Sequence, residues 1–267
     1  MECVPHWGAL FLMWSNYHIS GLSENSEYKG EKIMEIELEK LLNDYLRDFS
    51  RKSQSDVAVK DSIPIVWFGD MEAYKESRLK IVTVGLNPSL REFEEPRFNV
   101  AANSAESLYE TLNDYFNFNP YKWFRDFEKC LNLIDASFGG KMSDRRYANT
   151  AISLDAYSAI ATNPTWRYLS LRERNAVEQS GLFDRLLEYL QPDVILMSAQ
   201  HDYFMDVLHI SRPQKLFYNH RKVEVYKEHN CIMVYGFNFK GVPFGVKKEI
   251  KEEAFAVVRN AITELLR

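Results

Sequence analysis

Apolar residues recur at helical spacing at both ends of the chain. Leu38, Leu41, Leu42, Tyr45, Leu46 and Phe49 share one face, which predicts an amphipathic helix over residues 35–50. Val246, Ile250, Ala254, Val257, Val258, Ile262 and Leu265 do the same and predict a closing helix over 246–266. Between them the period changes. Lys80 to Val84 is short, β-branched and stopped by Gly85, the pattern of a buried strand. Residues 149–159 hold a second strand and its exit, and 192–198 ("PDVILMS") a third. Residues 63–69 ("IPIVWFG") read as a strand or an extended segment, and 215–218, 222–227 and 231–235 as strands at one edge. Helices are predicted over 104–115, 121–134 and 171–190, the last broken near Ser180-Gly181, with a short one from about His201. Ser104 and Ser107 make a weak cap signal. "RKSQSDVAVKDS", "ASFGGKMSDRR" and "NPTWRYLS" read as loops.

Strands alternating with helices imply an α/β fold, a three-layer α/β/α arrangement around a mostly parallel central sheet. Ligands of such sheets bind beyond the carboxyl ends of the strands. The tips after Val84, Leu154 and Met197 are therefore where chemistry is expected. Residues 34–267 are expected to form a single domain. Residues 1–33, with the polar stretch "SGLSENSEYKGEK", read as an N-terminal extension, either disordered or ahead of a start at Met34.

With 267 residues and 46% of them apolar, the chain can bury a sizeable core. The 17 Phe and 15 Tyr either enrich that core or supply rings that stack on planar ligands. A net charge of −5 argues against coating nucleic acid by bulk electrostatics, though a local basic groove remains compatible with it. Cys3, Cys130 and Cys231 are scattered without metal spacing, as expected of reduced thiols in a cytoplasmic protein. No metal or cofactor is expected. The apolar run from Trp7 to Trp14 is too short to span a bilayer, so no membrane partner is expected.

Three tips carry candidate chemistry. At the first, Gly85-Leu86-Asn87-Pro88-Ser89, Gly85 allows close backbone approach and Pro88 keeps Asn87 out of helical backbone. Asn87 then either holds a water or a ring at the rim, or caps its own turn. At the second, Asp155 follows an apolar strand; it either accepts from a base edge or activates a water, or it satisfies backbone N–H groups. Trp166 and Arg167, a few residues on, either touch a nucleic-acid strand or cover the core edge. At the third, Asn238, Phe239, Lys240 and Gly241 follow a strand ending at Gly236. Lys240 there suits a phosphate contact, or the loop is a plain strand-to-helix connection.

Taken together, "VGLNPS", "REFEEPRF", "SLDAYSAIATNPTW", "QPDVILMSAQHDYF" and "YGFNFKGVPFG" resemble, in order and spacing over residues 79–266, the uracil-DNA glycosylase superfamily. The first motif is nearest to the mismatch-specific thymine/uracil branch. The resemblance implies metal-independent hydrolysis of the N-glycosidic bond to a damaged or mispaired base, flipped out of single- or double-stranded DNA. It implies that Asn87 positions the water and that Asp155 sits where some branches read the base. It places Gly85, Leu86, Pro88, Ser89, Phe93, Phe98 and Asn238 around the substrate, and Arg91, Arg97, Trp166, Arg167 and Lys240 against DNA. We expect a cytoplasmic monomer.

Three departures change that picture. Ser89 stands for the usual glycine. The last motif lacks its His-Pro-Ser or Asn-Pro-Ser, and His201 and His209 lie elsewhere. An ionised Asp155 would only accept hydrogen bonds and would repel an anionic leaving base, so a base with an exocyclic amine suits it better than uracil. Two alternatives follow: a catalytically silent relative that binds nucleic acid or protein, or a hydrolase of small nucleosides or nucleotides.

Overall fold

The structure, a computed structural model, describes residues 34–98, 102–143, 145–220, 222–237 and 242–267. Its first helix, α1 (Ile36–Lys52), buries Leu38, Leu41, Leu42 and Tyr45, the face the periodicity predicts. A short helix α2 (Met71–Glu76) starts at Asp70, whose carboxylate accepts from the Glu72 and Ala73 amides. Strand β1 (Ile81–Gly85) follows and is buried throughout. Helices α3 (Ala105–Asn113), α4 (Tyr115–Phe118) and α5 (Phe124–Leu131) come next. The weak serine signal is a full capping box: Ser104 accepts from the Ser107 amide and Ser107 reaches back. Then come β2 (Ala136–Ser137), β3 (Asn149–Asp155), α6 (Leu171–Val177), α7 (Ser180–Leu190), β4 (Val194–Met197) and α8 (His201–Val207). The chain ends with β5 (Gln214–Asn219), β6 (Val223–Glu228), β7 (Cys231–Gly236) and α9 (Lys248–Leu265).

These strands form a seven-stranded sheet in the order β2-β3-β1-β4-β7-β6-β5. The pairs β2–β3, β3–β1, β1–β4 and β4–β7 are parallel, while β5–β6 and β6–β7 are antiparallel. The fold is therefore α/β with a mostly parallel mixed sheet and flanking helices. The central strands are buried on both faces, which is why they read as continuous apolar runs. No described helix is long and apolar enough to cross a membrane.

Local pattern and structure differ at two places. Residues 63–69 are extended but form no ladder strand; Phe68 makes an isolated bridge to Ser153, and Ile65 donates to the Ala159 carbonyl. The apolar run is real, because it packs Trp67 and Phe68 into the core. The break expected near Ser180-Gly181 is found: α6 and α7 part where Gln179 buries its side chain against Ser158 and Ala159. The glycine loop after Ile134 contains β2, too short for a periodic signal.

The order of the parallel strands reverses at β1. The chain leaves β1, pairs β3 on one side of it, then returns to place β4 on the other. In open α/β sheets such a reversal opens a crevice at the carboxyl ends of the strands. Gly85 and Asp155 end neighbouring strands there, and they are direct register partners.

Candidate functional site

The first two tips are fastened together. Beyond the strand ends, the Ala156 amide donates to the Gly85 carbonyl at 3.2 Å and the Tyr157 amide to Leu86 at 2.9 Å. Further out the Thr162 amide donates to Pro88 at 3.1 Å, and the Leu90 amide to Thr162 at 3.3 Å. Residues 85–90 thus lie along 155–162 as a continued ladder, so the apparent turn after Gly85 is held from the side rather than capped by itself.

Asn87 does not cap its own backbone. Its Nδ2 donates to the Ile160 carbonyl at 3.2 Å and to Thr162 Oγ1 at 2.9 Å. A carbonyl can only accept, so the amide orientation is fixed. Its Oδ1 accepts no hydrogen bond among the described residues, and the residue as a whole is half-buried. Pro88 is buried behind it, while Leu86 and Ser89 are half-buried at the rim. An acceptor whose amide is held from behind by two hydrogen bonds can accept a hydrogen bond from a water without reorganising.

Asp155 is surrounded by protein yet keeps part of its surface open to solvent. Burial holds its carboxyl well above the usual carboxylate range, and the nearby Glu92 carboxylate adds to the effect. The neutral acid is favoured, which donates as well as accepts. A neutral Asp155 differs from the ionised, accept-only group for which an exocyclic amine is the better partner. Gly85 makes room for it: a Cβ at Gly85 would collide with Asp155 Oδ1 and lie 3.6 Å from the Trp123 ring. Gly85→Ala should therefore lower stability by about 1–3 kcal/mol in urea unfolding and displace the Asp155 carboxyl; unchanged stability would show that the strands give way easily.

Glu92, hidden in a segment that reads as solvated charge, is the residue the sequence did not reveal. It is 5% exposed and accepts from the Tyr115 hydroxyl at 2.6 Å. Burial pushes its pKa up to about 7, against the opposing pull of that hydrogen bond and of Arg97. The same hydroxyl accepts from the Tyr121 amide at 3.0 Å. Half-buried Phe93 and Phe98 stack at 5.4 Å, and Phe98 lies 5.4 Å from Tyr115. Trp123 and Thr162 were likewise unmarked: one sat in an ordinary helix pattern, the other in a loop.

The expected DNA-facing residues divide. Arg91 and Arg167 are exposed. Arg97 is 8% exposed; its guanidinium donates to the Arg91 and Asn119 carbonyls and to Glu95, and lies 5.2 Å from the Tyr121 ring centre. It braces the 91–121 segment and does not face solvent. Trp166 is buried and stacks on Tyr157 at 4.9 Å, the core-edge alternative. Asn238 and Lys240 lie outside the described residues. His201 and His209 approach Glu224 and Asp184, at 3.8 and 3.6 Å. No cluster of three or more His, Cys, Asp or Glu that could hold a metal ion occurs among the described residues.

Two surface clefts lie away from this rim. One, of about 930 Å³, runs between α1 and the start of α7 and is lined by Asp44, Arg47, Asp48 and Arg185. The other, of about 480 Å³, includes Lys80 and Asp193 at the amino ends of the strands. The arginines of the first cleft are paired with its aspartates, so its size does not outweigh the organised groups at the carboxyl rim. Compared with known proteins, the chain matches no family model and no curated relative.

Proposed function

We propose that the chain is a DNA base-excision glycosylase-like hydrolase of three-layer α/β/α type, acting on a base flipped to the rim between β1 and β3. The observation that carries this reading is Asn87, whose amide nitrogen is anchored twice while its oxygen accepts no hydrogen bond among the described residues, at the same strand rim as the enclosed, neutral-favouring Asp155. N-glycosidic hydrolysis needs a water held at the sugar carbon and a base that can leave as an anion. Asn87 Oδ1 accepts a hydrogen bond from the water and turns an oxygen lone pair toward C1′; the proton the water sheds as its oxygen bonds to C1′ passes through solvent to the departing base anion. As the C–N bond breaks, the sugar takes oxocarbenium character and the base takes the bonding electrons. A neutral Asp155 donates to the departing base and accepts from its N–H, the complement of an imide edge. It places no negative charge against the leaving group. Phe93 and Phe98 offer an aromatic wall, and Arg91 and Arg167 lie exposed for phosphates.

The test is an excision assay on labelled oligonucleotides carrying uracil, mismatched thymine, hypoxanthine, xanthine or ethenocytosine, in single and double strands. Alkaline cleavage reports abasic sites. Wild-type protein is expected to excise an imide-edged base. Asp155→Asn, which keeps one donor and one acceptor, should stay within about tenfold of wild type, whereas Asp155→Leu should lose roughly 10²-fold or more. Equal loss in both variants would show that an ionised carboxylate is required. No excision across the panel by folded protein would sink the assignment.

A further inference from the structure

Beyond Thr162 the chain turns outward into a short, braced projection. Residues 166–168 form one 3₁₀ turn, and the capping box of Ser170 and Glu173 starts α6. At the tip, Tyr168 is 68% exposed and Leu171 74% exposed. Large apolar side chains so open to water are usually found on loose segments, but this one is fixed. The Arg174 guanidinium donates to the Trp166 carbonyl at 3.2 Å, the Arg167 carbonyl at 3.3 Å and the Tyr203 hydroxyl at 3.1 Å. Trp166 stacks on Tyr157, two residues after Asp155. The tip is thus tied to the strand exit that carries the candidate site, and Thr162 beneath it holds Asn87.

The charge around the tip runs against that of the chain. The whole protein carries −5, yet residues 165–174 hold three arginines and one glutamate. Arg167 and Arg172 are exposed, and Arg167 lies 5.1 Å from the Tyr168 ring centre. The glutamate is occupied, because Glu173 Oε2 accepts from the Ser170 amide at 2.7 Å. An aromatic and an aliphatic side chain on a hydrogen-bonded turn, beside two exposed guanidinium groups, match a strand of stacked bases on a phosphate backbone.

We infer that Tyr168 and Leu171 form a base-stacking tip for a nucleic-acid strand, with Arg167 and Arg172 receiving its phosphates. The inference rests on the nucleic-acid reading above and assigns it a surface. It replaces Trp166 as the stacking aromatic and is separate from the loop after β7.

The experiment is fluorescence anisotropy of the full chain with a labelled single-stranded oligonucleotide and with a duplex containing an abasic gap, over a salt series. Tyr168→Ala and Leu171→Ala should each weaken single-strand binding about tenfold and leave its salt dependence unchanged. Arg167→Ala with Arg172→Ala should flatten the log–log salt slope by about 1.4. All four positions are exposed, so melting temperatures should not move. Wild-type binding that is indifferent to Tyr168→Ala and Leu171→Ala overturns the inference. So does an absence of oligonucleotide binding, or self-association in sedimentation that Leu171→Ala abolishes, which would give the face to a second copy. Tip-dependent binding with no excision of any base would leave the tip standing and remove the glycosylase reading. Excision lost in Asn87→Ala with binding untouched by the tip variants would do the reverse.

Discussion

Asn87→Ala should lower the turnover of base excision by roughly 10²-fold or more while leaving KM near its wild-type value. The side chain holds no substrate atom in the proposed geometry. It holds the water, so its loss falls on the chemical step. The substitution also removes the donor to the Ile160 carbonyl and to Thr162 Oγ1, and Thr162 is fully buried. Losing both bonds should cost about 1–2 kcal/mol of stability. A comparison variant separates the two effects. Thr162→Val removes one anchor of the amide, keeps the other, and leaves Oδ1 in place but less firmly aimed. It should lose about tenfold in turnover, with Thr162→Ser restoring it. If Thr162→Val and Asn87→Ala lost stability equally and neither changed turnover, Asn87 would be a strap between two loops and nothing more.

Glu92→Gln should remove about 3 kcal/mol of the stability that the protein loses between pH 5 and pH 8. The folded state raises the Glu92 pKa from 4.5 to about 7. For an acid with a raised folded pKa, the folded state holds the proton more tightly. Its stabilising contribution is complete below the unfolded value and is lost as pH rises through about 7. One pKa unit is worth about 1.4 kcal/mol, so the effect amounts to about 3 kcal/mol by pH 8. At this chain length that corresponds to roughly 5–10 °C in melting temperature. Asp155, Glu128, Asp184 and Asp193 are raised too, each by burial, and act in the same direction, so the variant keeps part of the slope. Glu35, Asp44 and Asp48 are lowered and act in the opposite sense, but in the acid range below this window. Gln at position 92 still accepts from Tyr115. Thermal melts across the range, wild type beside Glu92→Gln, decide the matter: parallel curves would show that Glu92 does not titrate in this window. Because the Glu92 charge helps keep Asp155 protonated, the excision profile of the variant should also lose activity at lower pH than that of the wild type.

Much of the scaffold was already written in the order of residues. Periodicity is a local property, so the face of α1, the β1 run stopped by Gly85 and the closing helix follow from residues within a few positions of one another. The site was legible only in outline. Asn87 and Asp155 could be picked out because each follows an apolar strand, and the rim they share follows from alternating strands and helices. Their meaning could not be picked out, because it depends on residues far away in the chain. The protonation of Asp155 is set by its enclosure and by Glu92. The orientation of Asn87 is set by Ile160 and Thr162. Arg97 and Trp166 look like surface chemistry in the sequence, but tertiary packing buries them. Tyr168 lies in a segment that reads as a loop and Leu171 at the start of a predicted helix; neither pattern tells that the turn between 166 and 171 puts both in water. The sequence determined which segments become strands and helices, since that choice is made by near neighbours. Only the tertiary structure decided which polar groups are neutral, anchored or free, since desolvation and hydrogen-bond partners are fixed when distant segments meet.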